Sequence, residues 1–384
     1  MSRKLGSEWL PLIFASTLGF SGTPTLPIWL AAAAERFHLT APQSGLLASL
    51  ELGCMAFASI ASAALAFSSL RPLAFAIALS IVGNLGSLLA TDALTLTAAR
   101  AVVGLSYGVT LAEITRRAAQ MPDPHRVFAM QQLGLVLFAT VFFTTAPKLI
   151  ASLGAPSLFL YNMVMGALAL ASIAWLPLST DASVTGASAS RAGKRSVAVA
   201  MTFVAIVLSF AAYGSLWTYI AEAAKSSGLP LDALSRTLAI GAVANLLAPL
   251  AAGRLGLRYG RVTPLLLGYA GFALSMLMIA LGLGPAWFAA GAIGLNLFLL
   301  FLGPFLLGTL AGLDASGRGA AVGPAFFTIG GAIGPAVGGF VIGNAGFPIM
   351  GIIGAMAAGG ALGLAWVAGS RIPVAKPAVD IRIG

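Results

Sequence analysis

Between Val262 and Leu313 the chain runs for 52 residues without a single Asp, Glu, Lys or Arg, and from Gly319 to Ser370 it does so for another 52. A soluble helix buries one apolar stripe and keeps the opposite face polar. Neither run offers such a face. A membrane-spanning helix needs roughly 20 mostly apolar residues and no polar face. Each run is too long for one span and suits two, if "GLGPA" (Gly282–Ala286) and "GNAGFP" (Gly343–Pro348) are turns. Composition agrees, with 59% hydrophobic and 8% charged residues, against roughly 45–50% and 25% in soluble domains. The chain reads as an all-α membrane protein.

Charges bound most of the other spans. They fall at Trp9–Ala34, within Leu39–Leu70, at Pro72–Thr91, Ala93–Ile114 and Val127–Ala151, and from the break at "LGAPS" (Leu153–Ser157) to about Leu178. The N-terminus is basic and then apolar, but its uncharged stretch is too long for a leader core and no small-residue cleavage site ends it early. It is expected to be the first span. A seventh span covers about Val197–Ala221 and an eighth lies within Leu229–Ala252. Between the two sets lies "STDASVTGASASRAGKRS" (Ser179–Ser196), small, polar and basic, the composition of a flexible connector. The prediction is twelve transmembrane helices: a six-helix bundle over 1–178, a cytoplasmic linker over 179–196, and a second six-helix bundle with a short tail over 197–384.

The net charge of +10 would suggest nucleic acid in a soluble protein. Here the cations sit between apolar runs. Of 21 Lys and Arg, five (Arg36, Arg100, Lys148, Lys225 and Arg236) fall on one side or within spans. The other sixteen fall on the side that holds both termini, which the positive-inside rule assigns to the cytoplasm. The expected location is a bacterial-type inner membrane, multi-pass, with lipid around it and no nucleic-acid partner. Cys54 is the only cysteine and His38 and His125 the only histidines, so neither a disulfide nor a His metal site is expected. No nucleotide or cofactor motif occurs; a proton gradient is the expected driving force.

The halves repeat weakly. "LPIWLAAAAERFHLTAPQSGLL" (Leu26–Leu47) aligns with "LWTYIAEAAKSSGLPLDALSRTL" (Leu216–Leu238), and at the same offset Leu65, Ala66 and Arg71 fall opposite Leu255, Gly256 and Arg261. Two pseudo-symmetric bundles are the architecture of secondary transporters. Twelve spans, a 6+6 split and a basic central linker resemble the major facilitator superfamily. Its loop signature, approximately G-x-L-(A/G)-D-R-x-G-R-(R/K), is matched by Gly253, Leu255, Gly256, Arg258, Gly260 and Arg261, with Leu257 at the acidic position and Val262 at the last basic one. The resemblance implies a cytoplasmic gate at Arg71, Glu113, Gly253, Arg258, Gly260 and Arg261. Arg100, Gly104 and Gly108 resemble the signature of the fourth helix. Gly330, Gly334, Pro335, Gly338 and Gly339 fit G-x-x-x-G-P-x-x-G-G, a pattern associated with antiporters in helix five but here in helix eleven. Helix packing explains these glycines as well, and Pro335 predicts a kink.

Ionisable residues inside spans cost roughly 2.5–3.5 kcal/mol each on insertion scales and are functional candidates. Glu51, Arg100 and Lys148 belong to the first bundle and are predicted to share one layer. Glu51 is a candidate proton carrier; Arg100 and Lys148 are candidates for an anionic substrate; an ion pair that sets helix register is the competing reading. The first span, with Pro24 and Pro27, is expected to be broken or bent. By family analogy Phe20, Tyr107, Tyr213, Trp217, Asn245, Asn296 and Phe298 line the cavity. The resemblance implies a monomeric, non-enzymatic secondary transporter of a small amphipathic organic solute, an organic acid or lipophilic compound, with drug/proton antiport as the alternative. A transport-inactive receptor and an intramembrane enzyme are the readings of a different class. Reporter fusions test the topology: green fluorescent protein at position 185 should fluoresce, and alkaline phosphatase after Ser226 should be active.

Overall fold

The computed structural model describes residues 9–65, 69–121, 123–176, 195–255, 262–313 and 318–372, and these are helical with short turns between. The first half contains α1 (Trp9–Phe37), α2 (Ala41–Leu65), α3 (Arg71–Leu89), α4 (Ala93–Ala119), α5 (Pro124–Leu153) and α6 (Phe159–Ser172). The second contains α7 (Arg195–Trp217), α8 (Ile220–Ser226), α9 (Leu231–Ala244), α10 (Leu247–Leu255), α11 (Val262–Ala280), α12 (Pro285–Leu313) and α13 (Arg318–Gly369). Residues 179–194 of the expected linker lie outside the described residues.

Ten helical segments are long and apolar enough to cross a membrane. To these add α1, which is as long but less apolar, and a second span within α13. There Gly346 adopts φ 80°, ψ 176°, and splits the 52-residue run in two. The result is the expected twelve, in a multi-pass membrane protein. Gly346 and the positive-φ pair Gly282 and Gly284 fall within the two stretches that the charge-free runs required as turns. These are backbone positions that only glycine adopts without strain.

The break expected in α1 is corrected: the helix runs unbroken through Pro24 and Pro27. In α13 helical dihedrals continue past Pro335. The interruptions fall elsewhere. The eighth span breaks at Asn245–Leu246 between α9 and α10, where Pro249 lacks the N–H that would bond the Asn245 carbonyl. The seventh breaks at Thr218–Tyr219 between α7 and α8. α4 also runs a turn beyond its expected end, to Ala119. It starts on a capping box in which Asp92 accepts from the Thr95 N–H. That bond holds the Asp92 carboxyl below its ordinary range, so the cap is kept until pH falls below that range.

The two halves form two six-helix bundles. In the first, α4 packs on α2, α3 and α1; in the second, α13 packs on α7 and α11. Lipid supplies little hydrophobic drive between apolar helices, so close backbone approach carries the association. Glycine makes it possible. Gly104 and Gly108 of α4 lie against the Glu51 and Met55 carbonyls of α2. Gly330, Gly334 and Gly338, one helical turn apart, press on α7: a Cβ at 330 would meet Val207 O at 2.6 Å, and one at 334 Ala211 O at 2.5 Å. The opposite edge of the same helix carries Gly339 and Gly343 against Ala41 and Pro42 of α2. Backbone atoms cannot swing aside, so Gly334→Val should destabilise by roughly 1–3 kcal/mol, the usual cost of overpacking. Gly331→Ala, where a Cβ meets nothing within 4 Å, should be neutral. Thermal unfolding of the purified variants in detergent checks the contrast.

Candidate functional site

Two of the three predicted intramembrane charges meet. Arg100 (0% exposed) on α4 donates from Nε to Glu51 Oε2 at 3.0 Å and from a terminal nitrogen to Oε1; Glu51 on α2 is 1% exposed. The other terminal nitrogen donates to Asn84 Oδ1 on α3 at 3.2 Å. Asn84 Nδ2 donates to Ser80 O at 2.8 Å and to the Tyr107 hydroxyl at 3.2 Å. The guanidinium lies over the Trp29 ring of α1, 4.7 Å from its centroid, and the Phe159 ring of α6, at 5.4 Å. A planar cation with five donors suits this slot, since it bonds to the carboxylate and the amide and meets two neighbouring aromatic rings. Gly22 of α1 lies beside the pair: a Cβ there would be in ordinary contact with Glu51 Oε1 at 3.4 Å and the Tyr107 ring at 3.5 Å. The centre is built wholly from the first bundle, and removing either charge would leave the other buried without its counter-ion.

Lys148 does not join it; it is exposed near the end of α5. Tyr107, expected to line a cavity, is 0% exposed and belongs to the Arg100 network. Phe298, expected likewise, fills the notch left by Gly271 on α11, with Gly294 of its own helix beside it. The remaining candidates lie nearer the junction of the bundles. The Tyr213 hydroxyl donates to Asn296 Oδ1 at 2.9 Å, and the Tyr213 ring stacks on Trp217 with centroids 5.6 Å apart. Phe20 is 40% exposed on α1. Asn245 sits at the break between α9 and α10 with its Oδ1 buried and unpartnered among the described residues. Irregular backbone at membrane depth is tolerated where it lines a cavity.

The bundles touch unevenly. The cross-bundle hydrogen bonds between described residues run from the middle of α1 to the end where α1 turns into α2. The Trp217 indole N–H donates to Thr23 O at 2.9 Å. The Tyr219 hydroxyl donates to Ala41 O of α2 at 2.8 Å, and within its own bundle it faces Pro335 O at 3.2 Å. The Ala336 N–H donates to Ser49 Oγ at 2.9 Å. The Thr23 carbonyl is an acceptor for a reason within its own helix: its intrahelical donor would be the nitrogen of residue 27, a proline. The carbonyl freed in one bundle is satisfied by the other.

At the opposite end, buried Glu113 accepts from Arg116 at 2.7 Å, and Arg117 Nε stands 3.8 Å from the same oxygen while its NH2 donates to Ser69 O at 3.3 Å. Arg71 is exposed at the start of α3, and Gly253 is exposed near the end of α10. Arg258, Gly260 and Arg261 lie outside the described residues. Sequence reasoning missed Asn84, Thr23, Ser49 and Tyr219. A lone Asn in the middle of a charge-free span was a usable signal for the first; the rest carry none.

These bundles and their junction make up the twelve-helix major facilitator fold, and solved structures bear this out. The chain is similar to the xylose transporter XylE from E. coli in a partially occluded inward open conformation (15% identity, 98% of this chain and 100% of that one, TM-score 0.74). It is similar to the nucleoside transporter NupG (15%, 96% and 99%, TM-score 0.68). It is also similar to an inward-facing bacterial homologue of the human lysosomal transporter Spinster (12%, 96% and 96%, TM-score 0.65). No protein-family model and no curated protein matches the sequence.

Trp217→Phe keeps the ring and deletes the donor. A hydrogen bond of this kind contributes roughly 0.5–1.5 kcal/mol, so the population closed at this end should fall by about two- to tenfold against the open one. Distances between spin labels at Glu35 and Ala345, in a Cys54→Ser background, report it.

Proposed function

We propose that the protein is a secondary transporter that carries a small amphipathic organic solute by alternating access, with proton coupling through Glu51. The observation that carries this reading is the Glu51–Arg100 pair, a charge couple buried inside one bundle of a two-bundle fold. Buried intramembrane charges are costly, and this one is placed where a proton changes its balance. While Glu51 is ionised, both of its oxygens hold Arg100. A proton on either oxygen weakens that hold and leaves Arg100 with a carbonyl acceptor from Asn84 and two aromatic faces. The freed cation then attracts an anionic group, which favours an organic acid. Tyr213, Trp217 and Asn296 offer the solute a flat aromatic surface and an amide.

The hydrogen bonds that join the bundles among the described residues support an inward-facing state. The joined end is the one poor in cations, and the basic residues assign the opposite end to the cytoplasm. In that orientation Glu113, Arg116, Arg117 and Arg71 stand at the cytoplasmic mouth, the place of a gate that closes in the outward-facing state. Exchange of a lipophilic drug for protons uses the same parts. The aromatic surface favours it, and the Arg100 cation favours the acid.

Proteoliposomes with a pH dye inside, challenged with a panel of organic acids and lipophilic cations, test both readings. Wild type should move protons when its solute is added. Glu51→Gln should lose that movement by at least tenfold while retaining solute exchange under equal concentrations, which shows that it is folded and binds. Unchanged proton movement in Glu51→Gln would overturn the assignment of the carrier.

A further inference from the structure

A lateral groove of about 520 Å3 opens between α1, α5 and α6, on the outside of the first bundle. Its walls are apolar and its rim faces outward: Leu137 is 66% exposed, Val164 59% and Val141 46%. Its floor lies where Gly134 of α5 approaches Ile13 and Thr17 of α1. Thr17 is 1% exposed and lines the groove, yet its Oγ1 has no hydrogen-bond partner among the described residues.

One end of the groove is polar. Tyr161, which lines it, shares a 2.6 Å hydrogen bond with Thr145. Lys148 lies one turn further on α5, exposed and in no ion pair among the described residues. Its phase is that of the groove. It lies seven residues from Val141 and fourteen from Gly134, and steps of seven drift only about 20° each around a helix. The groove-lining Leu149 beside it shows that the cleft reaches this level. An apolar slot as long as three turns, a hydroxyl pair near its end and a cation at its mouth match a molecule with an acyl tail and an anionic head.

We infer that this groove is a binding site for an anionic phospholipid of the leaflet at the joined end. The tail lies along Leu137, Val141 and Val164, and the phosphate pairs with Lys148. This gives Lys148 a role that the charge centre does not. The site depends on the membrane setting of the fold and not on the proposed coupling at Glu51.

Titration of delipidated, detergent-solubilised protein with dioleoylphosphatidylglycerol or dioleoylphosphatidylcholine, read by native mass spectrometry, tests it. Wild type should bind one phosphatidylglycerol in preference to phosphatidylcholine. Lys148→Gln should weaken that binding by roughly fivefold, the effect of one basic residue at an anionic headgroup, and Lys148→Arg should restore it. Val164→Trp, which fills the groove from an exposed position, should remove the bound lipid without lowering the thermal midpoint. Equal binding of the two lipids, a preference that survives Lys148→Gln, or a bound lipid that survives Val164→Trp in folded protein would overturn the assignment.

Discussion

A backbone carbonyl in hydrocarbon has no water to turn to, so each one that a proline frees must find a partner within the protein. The structure turns on that constraint. Pro27 releases the Thr23 carbonyl inside α1, and the indole of Trp217 reaches across from the second bundle to take it. Pro249 releases the Asn245 carbonyl and the eighth span breaks there into α9 and α10. At Pro27 the donor arrives from the other bundle and the helix stays continuous; at Pro249 the Ala248 N–H takes the Asn245 carbonyl in a short local turn and the helix stops.

Glycine decides how closely the bundles approach. The first arm of α13 is a two-sided ribbon, with Gly330, Gly334 and Gly338 against α7 and Gly339 and Gly343 against α2. Tyr219 stands where these three elements meet, its hydroxyl between the Ala41 and Pro335 carbonyls. One helix thus packs in its own bundle while docking on the other along an edge that runs from Pro335 and Ala336 to Gly339 and Gly343. Parting of such an edge would leave both bundles intact, as the proposed alternating access requires.

Charge is used sparingly and in two places of different character. The Arg100–Glu51 centre is enclosed by side chains of one bundle and fully bonded. The Glu113–Arg116–Arg117 group sits near the basic end of α4, with Arg117 tied to the α2–α3 connection at Ser69. Both lie on α4, about four turns apart, so a rotation of that helix would disturb the two together.

Sequence alone determined the class. Two 52-residue runs without charge leave no alternative to paired spans, because no soluble helix hides that much apolar surface; and the glycines at 282, 284 and 346 mark the turns by a conformation that other residues adopt poorly. The meeting of Glu51 with Arg100 was also legible, since two rare charges at similar depth in neighbouring spans have few other partners. Tertiary structure decided the rest. Lys148 looked like a third member of that layer, but its helical phase turns it outward. Tyr107 and Phe298 looked like cavity residues, but one is drawn into the Arg100 network and the other into a glycine notch on α11. Pro24 and Pro27 looked like a break, yet α1 continues, and the carbonyl that Pro27 frees is taken by a neighbour from the other bundle. That neighbour, Trp217, is 194 residues away in the chain, and only folding brings it near.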